Sequence, residues 1–509
     1  MILVFNFGGQ YCHLIARRIR DMGYEAQIVL PDISFEKVKK LNPDGIIFSG
    51  SPASVIAKDA ILTDKKFLEL GIPVLGICYG HQLITKLMGG VISGKRIKEY
   101  GKQRITVKSK SKILAKTPTK QIVWMSHGDT VEQLPKGFTA IASTNDCVYA
   151  GFSDEKKNIF GVQFHPEVVH TEYGSTILRN FMNLTRAKKT WSLKDKEKEI
   201  ISNIKGLIGN KGVIMGVSGG VDSLVASVLI SKATRNIHCV FVDHGLCRKN
   251  ESEYAAELYK SLGIDLYIED ASRLFLSKLK GITDPEKKRK IIGNTFIEIF
   301  DKKVTELKKK YKDIEFLGQG TIYPDRIESA QPGGKAVVIK THHNVGGLPA
   351  KMNLKLVEPL SDLYKDEVRK VGELLGLKKE WLWRHPFPGP GLAVRILGGI
   401  TPEKLRIVRE ADFIFIDELK KSGYYFKTWQ AFAALLPVRS VGVMGDERTY
   451  ESMVALRAIT STDAMTADWA RLPNDLLERI SSRIVNEVRG VNRVVYDITQ
   501  KPPATIEYE

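Results

Sequence analysis

The chain reads as α/β, with two doubly wound, mainly parallel-sheet domains followed by a smaller α+β domain. Three observations predict this. Short apolar strands alternate with amphipathic helices over residues 1–186, the same rhythm restarts at Val213–Val217, and from residue 384 the texture turns to proline- and glycine-rich loop followed by helical and strand-like stretches. Alternation of this kind marks a parallel sheet covered on both faces. A chain of 509 residues is also too long for one core and fits about three domains. The boundaries expected are 1–186, 187–383 and 384–509.

In chain order, Ile2–Phe5 is the first strand, and the helix after it carries Leu14, Ile15, Ile19 and Met22 and stops at Gly23. Ile28–Leu30 and Ile46–Phe48 read as the next strands, Ile72-Pro-Val-Leu75 as a buried one, and His81–Met88 as a helix closed by Gly89-Gly90. The polar segment from Arg186 to Lys196 reads as a linker. Val213–Val217 and Ile237–Val242 are strands of the second unit, the latter closing on Asp243-His-Gly245. In Arg384-His-Pro-Phe-Pro-Gly-Pro-Gly-Leu392 the prolines and glycines exclude helix and predict a rigid loop. Val438–Met444 and Val494–Ile498 are strand-like, and Lys501 to Glu509 is an extended tail stiffened by Pro502-Pro503.

Composition narrows the class of protein. Hydrophobic residues make up 43% and charged residues 27%, the balance of an ordinary soluble chain. With no run of eighteen apolar residues and an amino terminus that enters a strand at once, neither a membrane span nor a signal peptide is expected. The five cysteines are odd in number and scattered without a C-x-x-C pair, which predicts a reducing, cytoplasmic setting without disulfides or structural zinc. The formal charge of +19 raises nucleic acid as a partner. Most of the excess is lysine in helical stretches such as Lys302–Tyr311 and Lys194–Lys198, so solvated helix faces explain it, and a positive field also suits nucleotide phosphates. No obligate nucleic-acid partner is expected.

Two sites stand out. Ser218-Gly219-Gly220-Val221-Asp222-Ser223 lies between the apolar run Gly212–Val217 and a helix-like stretch, Leu224–Ile230. A strand, a glycine loop and a helix N-terminus turn backbone N–H groups and the positive end of a helix dipole toward one anion. A Walker A loop would end in Gly-Lys-Ser/Thr; here no lysine is present. Ligands of a doubly wound sheet sit beyond the carboxyl ends of its strands, which puts Asp243 beside this loop. The loop resembles the PP-loop of the N-type ATP pyrophosphatases, which cleave ATP between the α- and β-phosphates.

The second site centres on Gly76-Ile-Cys78-Tyr-Gly80, where a cysteine occupies a strand-to-helix turn with small neighbours and sits at a helix N-terminus that favours thiolate. In Val162-Gln-Phe-His165-Pro-Glu167 an extended chain would point His165 and Glu167 the same way. The imidazole could then take the thiol proton while the carboxylate fixes its orientation. Together these residues resemble the class I glutamine amidotransferases, a likeness that covers the first domain. That resemblance implies an oxyanion loop at Phe48–Val55, with Gly50 and the amide of Tyr79 as donors, although Ser51 stands where the family usually has a second glycine.

Further stretches resemble the glutamine-hydrolysing GMP synthetase family over essentially the whole chain: Lys288–Gly293, Leu317–Asp325, His342–Pro349, His385–Gly391, Pro437–Asp446 and the final Lys-Pro-Pro-Ala-Thr-Ile-Glu. The resemblance implies glutamine, ATP with Mg2+, and xanthosine monophosphate (XMP) as substrates, an adenylated XMP intermediate, and a homodimer through the third domain. It implies that the PP-loop holds pyrophosphate and that Asp243 and Gly245 lie near the adenosine. Lys340 is a candidate ATP contact. Arg289, Gln430, Lys501, Ile506 and Glu507 are candidates for XMP. His342 and His343 are adjacent on an extended chain and face opposite ways, so no metal site is expected there, and residues 318–350 read as a lid over ATP. Arginine is frequent in the family at the position of Asn294, which leaves that side chain without an assigned contact. A tRNA base as acceptor would give a glutaminase no use, and a nucleotide-sensing binding module would not need both catalytic sets.

Overall fold

The computed structural model describes residues 1–9, 11–94, 98–329, 353–461 and 466–509. By contact density the chain divides into Met1–Asp195 and Lys196–Glu509.

In the first unit the sheet strands are β1 (Ile2–Phe5), β2 (Ala26–Val29), β3 (Gly45–Phe48) and β4 (Val74–Ile77), then β6 (Glu99–Val107), β7 (Lys120–His127), β9 (Thr139–Ser143), β10 (Gly151–Asp154) and β11 (Ile159–Val162), with β5 (Val91–Ser93) and β8 (Thr130–Gln133) paired separately. Their order is β2-β1-β3-β4-β11-β10-β9-β6-β7, parallel from β2 to β11 and antiparallel beyond. The central parallel strands are apolar throughout because helices cover both faces; all four residues of β1, β3, β4 and β11 are buried. The segment expected to be a free linker is tied down instead. Trp191 N–H donates to the Gly23 carbonyl at 3.0 Å, and Arg20 stacks 4.2 Å from the Trp191 ring, so the unit runs past 186 to Asp195.

The second unit opens on a fully parallel sheet of β12 (Gly212–Val217), β13 (Ile237–Asp243), β14 (Asp265–Asp270), β15 (Ile314–Gly318) and β16 (Lys355–Val357), in the order β14-β13-β12-β15-β16. Its continuation is a long antiparallel hairpin, β17 (Gln430–Met444) and β18 (Glu447–Thr460), joined by Gly445 and Asp446, both at positive φ as a two-residue hairpin turn requires. β19 (Asp468–Trp469) and β20 (Val491–Tyr496) flank β18. A boundary at 383/384 is not visible in the packing, because one buried core runs from Ile214 and Val240 through Leu392 and Phe415 to Val454 and Ile484. The expected loop runs from Arg384 to Pro390, and a 3-10 helix, Gly391–Arg395, takes up its last two residues. The loop is pinned by His385, whose ring stacks 3.9 Å from Tyr425, donates from Nε2 to the Tyr425 carbonyl and accepts at Nδ1 from Ala431 N–H. Burial lowers the pKa of His385 to about 4, so it holds the loop as a neutral ring.

Candidate functional site

Cys78 lies between β4 and the helix Tyr79–Leu87, at φ 54° and ψ −104°. Such a conformation is strained for a residue with a Cβ and persists only where packing enforces it. The packing is tight here: a Cβ on Gly76 would overlap the backbone of Gly80, and one on Gly80 would overlap the Phe48 carbonyl. His165 Nδ1 is 2.7 Å from Glu167 Oε1, both nearly fully buried. Burial opposes charging of His165, but the charges of Glu167 and Cys78 outweigh it and raise its pKa to about 10. Cys78 Sγ donates to the Ser126 carbonyl at 3.4 Å.

His165 and Glu167 meet as expected, but not along an extended chain. β11 ends at Val162, and His165-Pro166-Glu167 is a turn rather than an extended segment. Pro166 bends the chain, Gly174 packs against the Pro166 backbone, and Thr171 Oγ1 fixes the His165 carbonyl at 2.6 Å. Imidazole and carboxylate meet because the turn folds them together. Gly50 faces the same place: a Cβ there would lie 3.2 Å from His165 Cε1 and 3.7 Å from Cys78 Cβ. Tyr79 is the first residue of its helix, so its amide belongs to the turn that has no intrahelical acceptor. Gln82 was not singled out in the sequence, yet its Nε2 donates to the Asp129 carbonyl at 2.9 Å and to Gln163 Oε1 at 3.1 Å; its position four residues after the elbow cysteine was the available signal. Glu99, His127 and Cys147 also come together, with His127 bonded through Nδ1 to the Asp129 carbonyl and through Nε2 to Glu99 at 2.9 Å, while burial pushes the Cys147 thiol up to about 12.

In the second unit Gly219 takes φ +71°, and a Cβ there would meet Glu251 Oε1 at 2.7 Å. Gly220 caps the helix Val221–Ala233 in extended conformation. Ser223 Oγ donates back to the Gly220 carbonyl at 3.1 Å and accepts from Ser218 N–H at 3.3 Å, closing the loop on itself. Asp222 is ion-paired to Lys365, while its Oδ1 is buried with no hydrogen-bond partner. Asp243 ends β13, accepts from Gly245 N–H at 2.8 Å and from Ser252, and so shapes the turn beside the loop. Gly245 sits at φ +70° against Ser272. Arg384, unnoticed in the sequence, reaches the Gly219 carbonyl at 3.2 Å and pairs with Glu251 at 2.9 Å.

The tail is built into the molecule. Glu507 accepts from Gln430 Nε2 at 2.7 Å and is gripped by Arg395 through Nη2 at 3.0 Å and Nε at 3.1 Å. Arg457 holds the carbonyls of Thr505 and Ile506, each at 2.9 Å. Arg289 donates to the Glu509 carbonyl at 2.5 Å, and the fully buried Lys288 pairs with the Glu509 carboxylate. Lys501 is placed by backbone pairing with Ala467. Thus Arg289, Gln430, Ile506 and Glu507 converge through the tail, and Arg395 and Arg457 are the residues the sequence did not disclose. Asn294 is exposed and lines a shallow surface hollow with Ile297, Glu298 and Asp301. Lys340, His342, His343 and most of the expected lid lie outside the described residues.

Three family models match in order: glutamine amidotransferase class-I over residues 3–184, the phosphoadenosine phosphosulfate reductase domain over 212–321, and the GMP synthase C terminal domain over 417–508. The chain is 55% identical over 510 aligned residues to a GMP synthase (glutamine-hydrolyzing) of Aquifex aeolicus, covering 100% of this chain and 99% of the relative. Proteins of the same description from Thermosipho melanesiensis and Caldicellulosiruptor saccharolyticus are 51% and 52% identical, again covering 100% of this chain and 99% of each relative.

Proposed function

The chain belongs to the glutamine-hydrolysing GMP synthase family, and from that premise we propose that one site frees ammonia from glutamine while the other uses ATP to activate XMP for amination to GMP. At the first site Cys78 attacks the glutamine carboxamide as its proton passes to His165. Glu167 orients the imidazole and stabilises the imidazolium formed by that transfer, leaving Cys78 as thiolate, and the amides of Gly50 and Tyr79 receive the oxyanion. Ammonia leaves with the proton returned by His165, and water releases glutamate from the thioester.

At the second site the C2 oxygen of XMP attacks the α-phosphorus of ATP and pyrophosphate departs. Ammonia then displaces AMP at C2. Ser218, Gly219, Gly220, Val221, Asp222 and Ser223 cradle the pyrophosphate, Asp243 and Gly245 adjoin the adenosine, and Lys340 is proposed for an ATP phosphate. Gln430, Ile506 and Glu507 take the purine side of XMP, with Arg289 and Lys501 toward its phosphate. Mg2+ accompanies ATP in this reading; the buried, unpartnered Oδ1 of Asp222 is the oxygen donor that fits it, and when bound the ion neutralises phosphate charge.

The observation that carries the reading is the coexistence of an elbow cysteine facing a His165–Glu167 pair with a lysine-free phosphate loop. A homodimer and a cytoplasmic location belong to the same proposal. Exposed Val441, Val443 and Tyr450 on the β17–β18 hairpin support the first, and five free, buried cysteines support the second. Among the described residues no helix is long and apolar enough to cross a membrane. Incubation with glutamine, Mg-ATP and XMP should yield GMP, AMP, pyrophosphate and glutamate. ADP and orthophosphate as the stoichiometric products would refute the proposal.

A further inference from the structure

Close to the elbow cysteine, two neighbouring strands that carry none of Cys78, His165 and Glu167 bury a line of polar groups. Glu99, the first residue of β6, pairs directly across from His127, the last residue of β7, and both side chains are 2% exposed. Residues paired across neighbouring strands point to the same face, which is how carboxylate and imidazole meet. His127 Nε2 lies 2.9 Å from Glu99 Oε2, and His127 Nδ1 lies 2.9 Å from the Asp129 carbonyl oxygen. Cys147, buried beside them, stays a neutral thiol because burial pushes it up to about 12. None of these groups takes part in the chemistry proposed for Cys78, and buried polar groups are costly to keep unless their hydrogen bonds are made.

The direction of this line follows from its donors and acceptors. A carbonyl only accepts, so His127 Nδ1 carries a proton. Glu99 Oε1 accepts from the Thr144 hydroxyl at 2.7 Å, and that hydroxyl in turn accepts from Cys147 N–H at 2.8 Å. One proton is then left between His127 Nε2 and Glu99 Oε2. Whichever atom holds it, Nδ1–H faces Asp129, so Glu99 fixes which edge of the ring donates there. The other end of the line reaches the glutaminase site. The Asp129 carbonyl also accepts from Gln82 Nε2 at 2.9 Å, and Gln82 lies one helical turn after Cys78, its N–H bonded to the Cys78 carbonyl at 3.2 Å. The Asp129 carboxylate accepts from Ser54, in the loop that carries Gly50, and the Ser126 carbonyl accepts from the Cys78 thiol. The short stretch 126–129 therefore touches the thiol, Gln82 and the Gly50 loop, and the His127 ring closes it on itself.

We propose that Glu99 and His127 are positioning residues for glutamine capture: Glu99 fixes the tautomer of His127, and His127 Nδ1–H holds the Asp129 peptide where it orients Gln82 beside the Cys78 thiol. The inference rests on the glutaminase reading of the Cys78 site and deepens it. Neither residue touches the reacting atoms. His165 is held by other bonds, its N–H to the Trp124 carbonyl at 2.9 Å and its carbonyl to Thr171, so loss of Glu99 is felt in substrate binding before it is felt in the chemical step. In Glu99→Leu the ring is free to carry its proton on Nε2 and to turn a lone pair toward the Asp129 carbonyl, which repels it.

The test uses the full chain with glutamine as the probe. Glutamine hydrolysis by Glu99→Leu should show a KM raised about tenfold or more with kcat changed far less, the scale on which a misplaced positioning group is felt. Glu99→Gln should restore most of the wild-type KM, because its amide oxygen can accept from Thr144 and its N–H can donate to His127 Nε2, which leaves Nδ1–H in place. Glu99→Asp keeps the charge but shortens the reach; it should also raise KM, and it serves if thermal unfolding shows that Glu99→Leu does not fold. Alkylation of Cys78 by iodoacetamide, followed by peptide mass, gives a second readout: the glutamine concentration that half-protects the thiol should rise in step with KM. An unchanged KM in folded Glu99→Leu or Glu99→Asp overturns the assignment. So does a Glu99→Gln chain as impaired as Glu99→Leu, or a loss of kcat at constant KM, the pattern of a pair that only stabilises the fold. A wild-type chain that neither hydrolyses glutamine nor is protected by it overturns the glutaminase reading and this inference together. Hydrolysis by wild type with no change of KM in the variants overturns the inference alone.

Discussion

In the proposed mechanism the glutaminase chemistry turns on His165, and its charge depends on its neighbours. Burial by itself would keep the imidazole neutral; Glu167 and Cys78 reverse that and raise its pKa to about 10. The folded chain therefore holds a proton that the unfolded chain gives up near 6.5. The resulting stabilisation is fully present below 6.5 and is lost as pH rises from there toward 10, because over that window the native state binds the extra proton. Glu167→Gln removes the leading favourable charge and leaves burial in place, so the His165 ring resonances in an NMR titration should show a much lower pKa. Glutamine hydrolysis near neutral pH should fall by orders of magnitude. A His165 that still titrates near 10 in this variant would show that Glu167 is not its counter-ion. Cys78, His165 and Glu167 were legible in the sequence because an elbow needs small neighbours and a base needs a carboxylate. The turn that joins the latter two was not, since an apolar run leading into His165-Pro-Glu reads equally well as strand.

At the scale of elements, the strand–loop–helix at Gly212–Ala233 was visible in the sequence because its signal is local: an apolar run, two glycines and a helix pattern in consecutive residues. The partners that complete it were not. Lys365 lies 143 residues from Asp222, and Arg395 lies 112 residues from Glu507; no spacing rule links such pairs. The tail shows the consequence. The structure makes it a carboxylate partner of Arg395 and Lys288, whose side chains are fully buried, and gives Arg457 two backbone carbonyls beside its ion pair with Asp497. Deleting residues 501–509 would take the carboxylate from buried Lys288 and leave Arg395 with Asp412 alone, and breaking one buried pair costs roughly 3–5 kcal/mol. A single substitution is the cleaner probe. Glu507→Gln keeps the shape and can still meet Gln430, but it loses the bidentate charge on Arg395. The KM for XMP should rise by the equivalent of about 1.5–3 kcal/mol, with the KM for ATP and for glutamine little changed. An unchanged KM for XMP would remove Glu507 from that site.

For the whole molecule, the alternation of strands and helices carried the fold class, while the extent of each unit depended on contacts that composition does not encode. Arg20 stacking on Trp191 extends the first unit beyond the point where the sequence turns polar, and a core shared from Ile214 to Ile484 joins what looked like separate second and third domains. The hairpin bears on assembly. Val441 and Val443 point to one face of β17, with Tyr450 paired across from Val441, and they are 56%, 72% and 61% exposed. Such a contiguous apolar face on a twisted ribbon is expected to be covered by a second copy. Val441→Glu with Val443→Glu should shift the protein to monomer in sedimentation velocity without lowering its helical content. A dimer that survives both changes must be built elsewhere.

The two chemistries should also be separable in the intact chain, and ammonia is the reason. Only the unprotonated amine is a nucleophile, and near neutral pH most of it is ammonium, so glutamine serves as a source that delivers ammonia without its proton. If Cys78 does nothing except release that ammonia, its thiol is dispensable once enough free ammonia is supplied. Cys78→Ala is a small change at a buried position that leaves Gly76, Gly80 and the elbow backbone in place, and it lies in a different unit from the phosphate loop. The variant should make no GMP from glutamine, yet should make it from ammonium salts at a rate close to that of the unaltered chain. That rate should climb with pH as the free-amine fraction grows, whereas the glutamine-dependent rate of the unaltered chain should follow the protonation state of the His165 pair instead. Loss of both activities in Cys78→Ala, with the fold intact by circular dichroism, would mean that the cysteine takes part in the amination itself and that one chain does not hold two independent sites.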